Sequence, residues 1–172
     1  MAADERTGSF EEFVSARWKV LYRTAYLMTG QAADAEDLLQ ATFVKAYAVW
    51  GRVQRADSPE AYLRKMLVNG FISTQRRRKR ERDHAAAHRV PAPSPTHEAG
   101  VLERVGLWEH VARLPPRQRA VVVLRFYEDL SEQQVAHVLG CAPGTVKSQT
   151  HDALRSLRAR VTDQPDAEGS LR

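Results

Sequence analysis

Cysteine, long apolar runs and strand-like alternation are all scarce in this chain of 172 residues. The single cysteine, Cys141, excludes an internal disulfide and cannot form a cysteine-based zinc site by itself. The longest aliphatic run, AVVVL, is too short to cross a bilayer. The start of the chain, MAADERTGSFEEF, is acidic and polar and lacks the basic-then-apolar order of a secretion signal. We therefore expect a soluble cytoplasmic protein without membrane insertion.

Positive charge is abundant but unevenly placed. The chain carries 26 lysines and arginines against 21 acidic residues, a formal net charge of +5. Residues 76–82, RRRKRER, hold six basic side chains and one acidic one, and residues 101–161 carry a second excess of positive charge. Clustering of this kind favours a nucleic acid or another anionic partner. The same block also fits the solvated end of a helix.

Apolar residues recur at three- and four-residue steps in the first part of the chain, which predicts three helices. The first helix is expected to begin behind a capping box formed by Ser9 and Glu12. The third is expected to follow a loop over residues 51–58, with Ser58 as its N-cap and Pro59 in its first position.

A segment of low hydrophobicity divides the chain in two. Residues 83–100 contain three prolines and no apolar stripe, which predicts a flexible linker that is semi-rigid in its proline part. We expect an all-α protein of two small helical domains, over residues 1–82 and 101–161. The remaining residues, 162–172, are polar and acidic, and we expect them to be disordered.

The second domain has the residue spacing of a helix-turn-helix. Ser131 opens a capping box, Ala136 is small enough for close helix packing, and Gly140 suits a left-handed turn. Pro143 fits the first turn of the following helix, and Val146 is its apolar anchor. A plain helical hairpin with a polar surface is the alternative. The polar face that could contact DNA comprises Thr145, Lys147, Ser148, Gln149, His151, Asp152 and Arg155. Of these, Arg155 is better placed for a phosphate than for a base.

Both halves resemble parts of one family. MTGQAADAEDLLQATF and AYLRKMLVNGFISTQRRRKR resemble the second conserved region of bacterial sigma factors. LPPRQRAVVVLRFYEDLSEQQVAHVLGCAPGTVKSQTHDAL resembles their fourth region, with GTVKS opening the recognition helix. The resemblance covers about residues 10–82 and 101–161. The absence of other sigma regions resembles the extracytoplasmic-function (ECF) type.

This resemblance implies a binding function in transcription initiation, without catalysis and without a cofactor. The implied partners are promoter DNA, core RNA polymerase through its flap region and the clamp helices of its largest subunit, and an anti-sigma factor. The second helix would dock on the clamp through Glu36, Asp37, Leu38, Gln40, Phe43 and Lys45.

The resemblance also implies two DNA contacts. The first domain would recognise and melt the minus-ten element through residues 51–58 and through Asn69, Arg76, Arg77, Arg78, Lys79 and Arg80. The recognition helix of the second domain would contact the minus-thirty-five element. Many members of the family carry arginine at the positions of Gln149 and Asp152, so the base contacts of this chain are expected to differ.

Melted DNA is commonly held by aromatic side chains beside a cationic track. Among the aromatic residues of the first domain, we expect Trp50 to be exposed, whereas Tyr47 and Phe71 are expected in the core.

Two other classes of function fit the sequence less well. An autonomous helix-turn-helix regulator would bind an operator without polymerase, and the acidic AEDLLQATF face argues against it. An enzyme would need a catalytic constellation, and Asp34, Glu36 and Asp37 have no partner histidine pattern. His84 and His88 have helical metal-ligand spacing but lack a third ligand, so no metal site is predicted.

Overall fold

The computed structural model describes residues 2–87 and 107–162 of the chain. These residues are almost entirely helical and contain no strand, which confirms the all-α prediction. The chain divides into two compact units, Met1–Val101 and Leu102–Arg172.

Four helices form the first unit. They are α1 (Ala2–Thr29), α2 (Ala32–Ala48), the short α3 (Trp50–Gln54) and α4 (Pro59–Ala87). The long helix α1 packs against α2, and α4 packs against both. The turn between α1 and α2 uses Gly30 at a φ of 77°, which is a left-handed conformation that suits glycine.

The predicted start of α4 is confirmed. The helix begins at Pro59, and Ser58 Oγ accepts a hydrogen bond from the Ala61 amide at 3.1 Å. Proline is favoured at this position because its missing N–H would have no intrahelical acceptor.

Two boundary predictions in the first unit are wrong. Helix α1 begins at Ala2, so Ser9 lies inside the helix, and its hydroxyl accepts a hydrogen bond from Gln54 Nε2 at 3.1 Å. The preceding residues include alanine, glutamate and arginine, which are strong helix formers that extend the helix past a local capping pattern. The first half of the predicted loop over residues 51–58 is helical, because α3 spans Trp50–Gln54.

Helix α4 also runs further than expected. It continues through the basic block to Ala87, five residues into the predicted linker. The remainder of that linker, and the tail predicted to be disordered, lie outside the described residues apart from Thr162 at the end of the last helix.

The core of the first unit is aliphatic and aromatic. Leu39, Leu63, Leu67 and Phe71 are at most 1% exposed, and the prediction that Phe71 is a core residue is confirmed. Helices α2 and α4 approach closely at Gly70, where an added Cβ would lie 3.2 Å from Leu38 Cδ1.

The expectations for Trp50 and Tyr47 are reversed. Trp50 is 5% exposed, and its ring packs edge-on against Phe10 with centroids 5.1 Å apart. Tyr47 is 51% exposed, although its ring also contacts Phe10. The reason is the break after Ala48: the backbone at Val49 leaves the helical conformation, and α3 restarts with Trp50 turned inward.

Four helices and one π-helical turn form the described part of the second unit. They are α5 (Leu107–Ala112), α6 (Pro116–Val122) with the π-helical turn Val123–Tyr127 continuing from it, α7 (Glu132–Leu139) and α8 (Pro143–Thr162). The π-helical turn closes with a bond from the Glu128 amide to the Val123 carbonyl at 3.0 Å.

A small apolar core holds α8 against α5 and α6. Val111, Leu114, Val122, Ala153 and Leu157 form its buried cluster. The partly buried indole of Trp108 packs against this cluster and meets Tyr127 edge-on, with centroids 6.2 Å apart. Helix α8 is therefore fixed along one side, which leaves its other side exposed.

Candidate nucleic-acid interface

Helices α7 and α8 form the predicted helix-turn-helix. Ser131 Oγ accepts from the Gln134 amide at 3.2 Å, and Gln134 Oε1 accepts from the Ser131 amide at 2.8 Å, so the predicted capping box is present. Helix α7 ends at Gly140, whose φ of 62° and ψ of 42° are left-handed. The Cys141 amide donates to the Ala136 carbonyl at 3.0 Å and closes the turn.

The two helices are held together by the residues that the spacing singled out. Ala136 is 4% exposed and Val146 is fully buried. Pro143 is the first residue of α8, and the Ala142 carbonyl accepts the first hydrogen bonds of that helix. Because the small residue, the left-handed glycine and the apolar anchor all take their expected places, the sequence spacing predicted this motif correctly.

The predicted DNA-contacting residues lie on the outer side of α8. Lys147, Ser148, His151 and Arg155 are exposed, and the remaining three are half-buried: Thr145, Gln149 and Asp152. Ser148 Oγ donates to the Thr145 carbonyl at 3.0 Å, which turns this hydroxyl toward its own helix.

Asp152 forms an ion pair on the same side of α8. Arg155 Nη2 donates to Asp152 Oδ1 at 3.0 Å, and His151 Nδ1 lies 3.8 Å from the same oxygen. The sequence singled out Asp152 as a departure from the family but gave no sign of this pair.

The basic block lies on the second half of α4. Arg76, Arg77, Lys79 and Arg80 are exposed, and Asn69 is exposed two turns earlier on the same helix. Five consecutive basic residues point all round a helix, so they cannot all face one DNA strand.

Arg78 differs from its neighbours because it is bound within the unit. Its Nη1 and Nη2 donate to Asp34 Oδ2 and Oδ1 at 2.8 and 2.7 Å, joining α4 to the first turn of α2. The hydrogen bonds from Arg78 lower the pKa of Asp34, and those to Asp34 raise the pKa of Arg78. The residues lie 44 positions apart, and no local pattern predicts their pairing.

The predicted polymerase-binding residues of α2 fall into two groups. Glu36, Asp37, Gln40 and Lys45 are exposed. Leu38 and Phe43 are 9% and 7% exposed, respectively, and do not lie on the outer surface. Leu38 is covered at Gly70 of α4, and Phe43 is covered by the stacked indole of Trp18 at 5.8 Å between centroids. The family resemblance placed both in the polymerase-binding set, but their burial does not fit a direct contact on the outer surface.

A groove of about 490 Å³ separates the outer parts of α2 and α4. Asp37 and Lys45 line it from α2, and Arg77 and Arg80 line it from α4. The groove therefore brings residues predicted for polymerase binding beside residues predicted for DNA binding.

Sequence reasoning missed a second cavity, of about 470 Å³, where α2 passes into α3. Tyr47, Trp50, Arg52 and Arg55 line it. The backbone leaves the helical conformation at Val49, which lines this cavity two residues before Gly51.

The described residues offer little for metal chemistry or membrane insertion. Across residues 2–87 and 107–162, no group of three or more histidine, cysteine or acidic side chains could hold a metal ion. His84 lies on α4, and His88 lies outside the described residues. None of the described helices is both long and apolar enough to cross a membrane.

Comparison with known proteins agrees with this arrangement. The family model of sigma-70 region 2 matches residues 13–81, which span most of α1 to α4, and that of sigma-70 region 4 matches residues 105–157, which include both helices of the helix-turn-helix. The chain belongs to the sigma-70 family. Similar relatives include an ECF RNA polymerase sigma factor, SigL of Mycobacterium tuberculosis, which is 32% identical over 150 residues, 84% of each protein. This sigma factor is of the ECF type.

Two further comparisons support the assignment. The RNA polymerase sigma-E factor of Streptomyces coelicolor is 36% identical over 154 residues, 88% of this sigma factor and 85% of the relative. The solved structure of the sigma factor RpoE in complex with the anti-sigma factor NepR, from Bartonella quintana, is 26% identical, with a TM-score of 0.69. That match covers 91% of this chain and 99% of the solved one.

Proposed function

We propose that this sigma factor binds core RNA polymerase and directs it to promoters that carry a minus-ten and a minus-thirty-five element. The observation that carries the proposal is the presence, in one chain, of a region 2 unit with a basic helix and a region 4 unit with a helix-turn-helix. An autonomous regulator is not favoured, because it would not need the region 2 unit. The protein acts by binding and melting DNA rather than by catalysing a reaction.

The outer side of α8 contacts the minus-thirty-five element. Its N-terminal turns enter the major groove, where polar side chains can form hydrogen bonds with base edges. Lys147, Ser148 and His151 are exposed on α8, whereas Thr145 and Gln149 are half-buried. We propose that the DNA contacts are made by the seven residues predicted from the sequence: Thr145, Lys147, Ser148, Gln149, His151, Asp152 and Arg155.

The outer part of α4 holds the minus-ten element while it is melted. Arg76, Arg77, Lys79 and Arg80 form a cationic track for the DNA backbone, and Asn69 lies nearer the α3–α4 turn, where bases are selected. We assign Arg78 a structural role instead, because its guanidinium is already bound in two places by Asp34.

The exposed side of α2 docks on the clamp helices of the largest polymerase subunit. Glu36, Asp37, Gln40 and Lys45 contact the polymerase, and the buried Leu38 and Phe43 support the helix from beneath. Region 4 contacts the flap region of polymerase, so that the two DNA-binding units are held along one promoter.

An anti-sigma factor controls access to these surfaces. The solved RpoE structure contains the anti-sigma factor NepR, and a partner of this class would compete with polymerase or DNA.

We place the protein in the cytoplasm, where polymerase acts. We also retain the proposed domain limits of residues 1–82 and 101–161, with α4 extending to Ala87 as the first part of the connection.

DNA binding with and without polymerase tests the proposal. Purified protein alone should give no sequence-specific shift of promoter DNA, whereas core polymerase with the protein should bind and open it. A specific shift by the protein alone, with two half-sites protected by a dimer, would support the autonomous regulator instead.

A further inference from the structure

The pair of Asp152 and Arg155 bears on which base pair the protein selects. The two side chains lie three residues apart on α8, and Arg155 Nη2 donates to Asp152 Oδ1 at 3.0 Å. They remain 42% and 72% exposed, respectively. The buried side of the helix is formed by Ala153 and Leu157. The pair therefore belongs to the outer side of the recognition helix.

Folding alone gives little reason for an aspartate at this position. Exposed ion pairs contribute little to stability, because solvent screens them and ordering two side chains costs entropy. A lone carboxylate on a DNA-facing helix would also be repelled by phosphates. Pairing with Arg155 neutralises that charge. The repulsion between Asp152 and the DNA phosphates is therefore reduced only while the pair is intact.

The pair also restricts the arginine. A guanidinium is a planar fork of five N–H donors, and binding of Nη2 by Asp152 leaves other donors available along the fork. Two parallel N–H groups match the O6 and N7 acceptors of guanine in the major groove. A guanidinium that Asp152 already binds loses less conformational freedom when it then binds that base.

The neighbouring polar side chains, Ser148 and His151, do not compete with Arg155 for hydrogen bonding to Asp152. Ser148, one turn earlier, donates to the Thr145 carbonyl at 3.0 Å rather than to Asp152. His151 Nδ1 lies 3.8 Å from Asp152 Oδ1, which is too long for a hydrogen bond.

We propose that Asp152 is a positioning residue that holds Arg155 toward a guanine, so that the pair selects one G·C base pair of the minus-thirty-five element. This inference rests on the proposed function and assigns Arg155 a base contact in place of the phosphate contact that the sequence predicted.

Transcription from promoter libraries tests the inference. The full chain with core polymerase would transcribe templates in which each base pair of the minus-thirty-five element is varied singly. The wild type should prefer guanine at one pair by about five- to a hundredfold, the range of a good bidentate contact. Arg155→Ala should abolish that preference, Asp152→Asn should reduce it severalfold, and Asp152→Glu should keep part of it.

The double variant decides between positioning and direct contact. Asp152→Asn should change base preference no further when Arg155→Ala is already present. A change that persists in that background would show that Asp152 contacts a base itself, and would overturn the inference. It would also be overturned if Arg155→Ala weakened all templates equally, or if Asp152→Asn left the preference intact.

Failure of the proposed function has a different signature. In that case the wild type would support no promoter-dependent transcription on any template. Circular dichroism of each variant checks folding, and because both side chains are exposed we expect unchanged helix content.

Discussion

The guanidinium of Arg78 on α4 donates two hydrogen bonds, of 2.8 and 2.7 Å, to the carboxylate of Asp34 on α2. The pair joins the start of the helix that we assign to polymerase to the part of α4 that we assign to melted DNA. Its members are partly exposed, at 44% for Arg78 and 23% for Asp34. The basic block is thus divided into one structural arginine and a set of outward residues.

Breaking this pair should lower the stability of the first unit. Asp34→Asn removes the charge and one acceptor, and we expect a loss of about 1 kcal/mol in the free energy of unfolding, because solvent screens a partly exposed pair. Glu81→Gln is the matched control, since it breaks the more exposed pair of Arg77 and Glu81 at 3.6 Å and should cost less than about 0.5 kcal/mol. Urea unfolding measures both, and equal losses would contradict the structural role of Arg78.

The contribution of Asp34 should disappear in acid. Arg78 lowers the pKa of Asp34 below the ordinary value of about 3.9. A carboxyl whose folded pKa is depressed stabilises the fold fully above its unfolded pKa, and this stability is lost as the pH falls through the folded pKa. The difference in unfolding free energy between wild type and Asp34→Asn should therefore be constant near pH 7 and shrink below pH of about 4. A difference that stays constant into acid would contradict the charge pairing.

The turn of the helix-turn-helix should depend on the backbone freedom of Gly140. Its φ is 62°, and an added Cβ would meet nothing within 4 Å, so Gly140→Ala should cost about 1 kcal/mol through strain alone. Gly144→Ala is the control, because that site is equally open but lies at the start of α8 without a positive φ. Gly144→Ala should be neutral or stabilising. Thermal unfolding compares them, and equal effects would show that backbone conformation is not the cause.

Outward arginines of α4 should act on all promoters alike. Arg76→Ala or Arg77→Ala should weaken open-complex formation regardless of the minus-ten sequence. The slope of log affinity against log salt should become shallower by about 0.7 for each single-strand phosphate that the variant no longer neutralises. Open-complex formation at several salt concentrations checks this. A defect confined to one minus-ten sequence would show instead that these residues select bases.

The sequence predicted those parts of the fold that depend on local rules. Helix caps, left-handed turns and apolar anchors each require particular residue types, so the sequence predicted their positions correctly. These features are the caps Ser58 and Ser131, the turn at Gly140 and the anchor Val146. The early start of α1 was not predicted, because a capping pattern at Ser9 has no effect once the preceding residues continue the helix.

Long-range packing accounts for the rest of the differences. The burial of Leu38 and Phe43 depends on Gly70 and Trp18, which lie on other helices. The pairing of Asp34 with Arg78 likewise joins distant parts of the chain, and no local pattern encodes it. The sequence therefore predicted which segments form the candidate site, whereas tertiary contacts decide which of their side chains face outward.

The acidic side of α2 should contribute to polymerase binding. Asp37→Lys reverses an exposed charge beside the groove, and we expect weaker competition with another sigma factor for core polymerase. Glu12→Lys is the matched control, because it makes the same charge change at an exposed position on α1. Equal effects of the two variants would show that net charge, and not this surface, governs the interaction.

Reconstituted run-off transcription shows whether the protein directs core RNA polymerase to promoters. Start sites mapped after overexpression of the protein would supply the promoters, and purified core polymerase would transcribe them with and without it. We expect transcripts that begin at the mapped sites only when the protein is added, and that disappear when the minus-ten or minus-thirty-five element is altered. Transcription that does not depend on the protein at any of these promoters would show that the protein does not direct initiation.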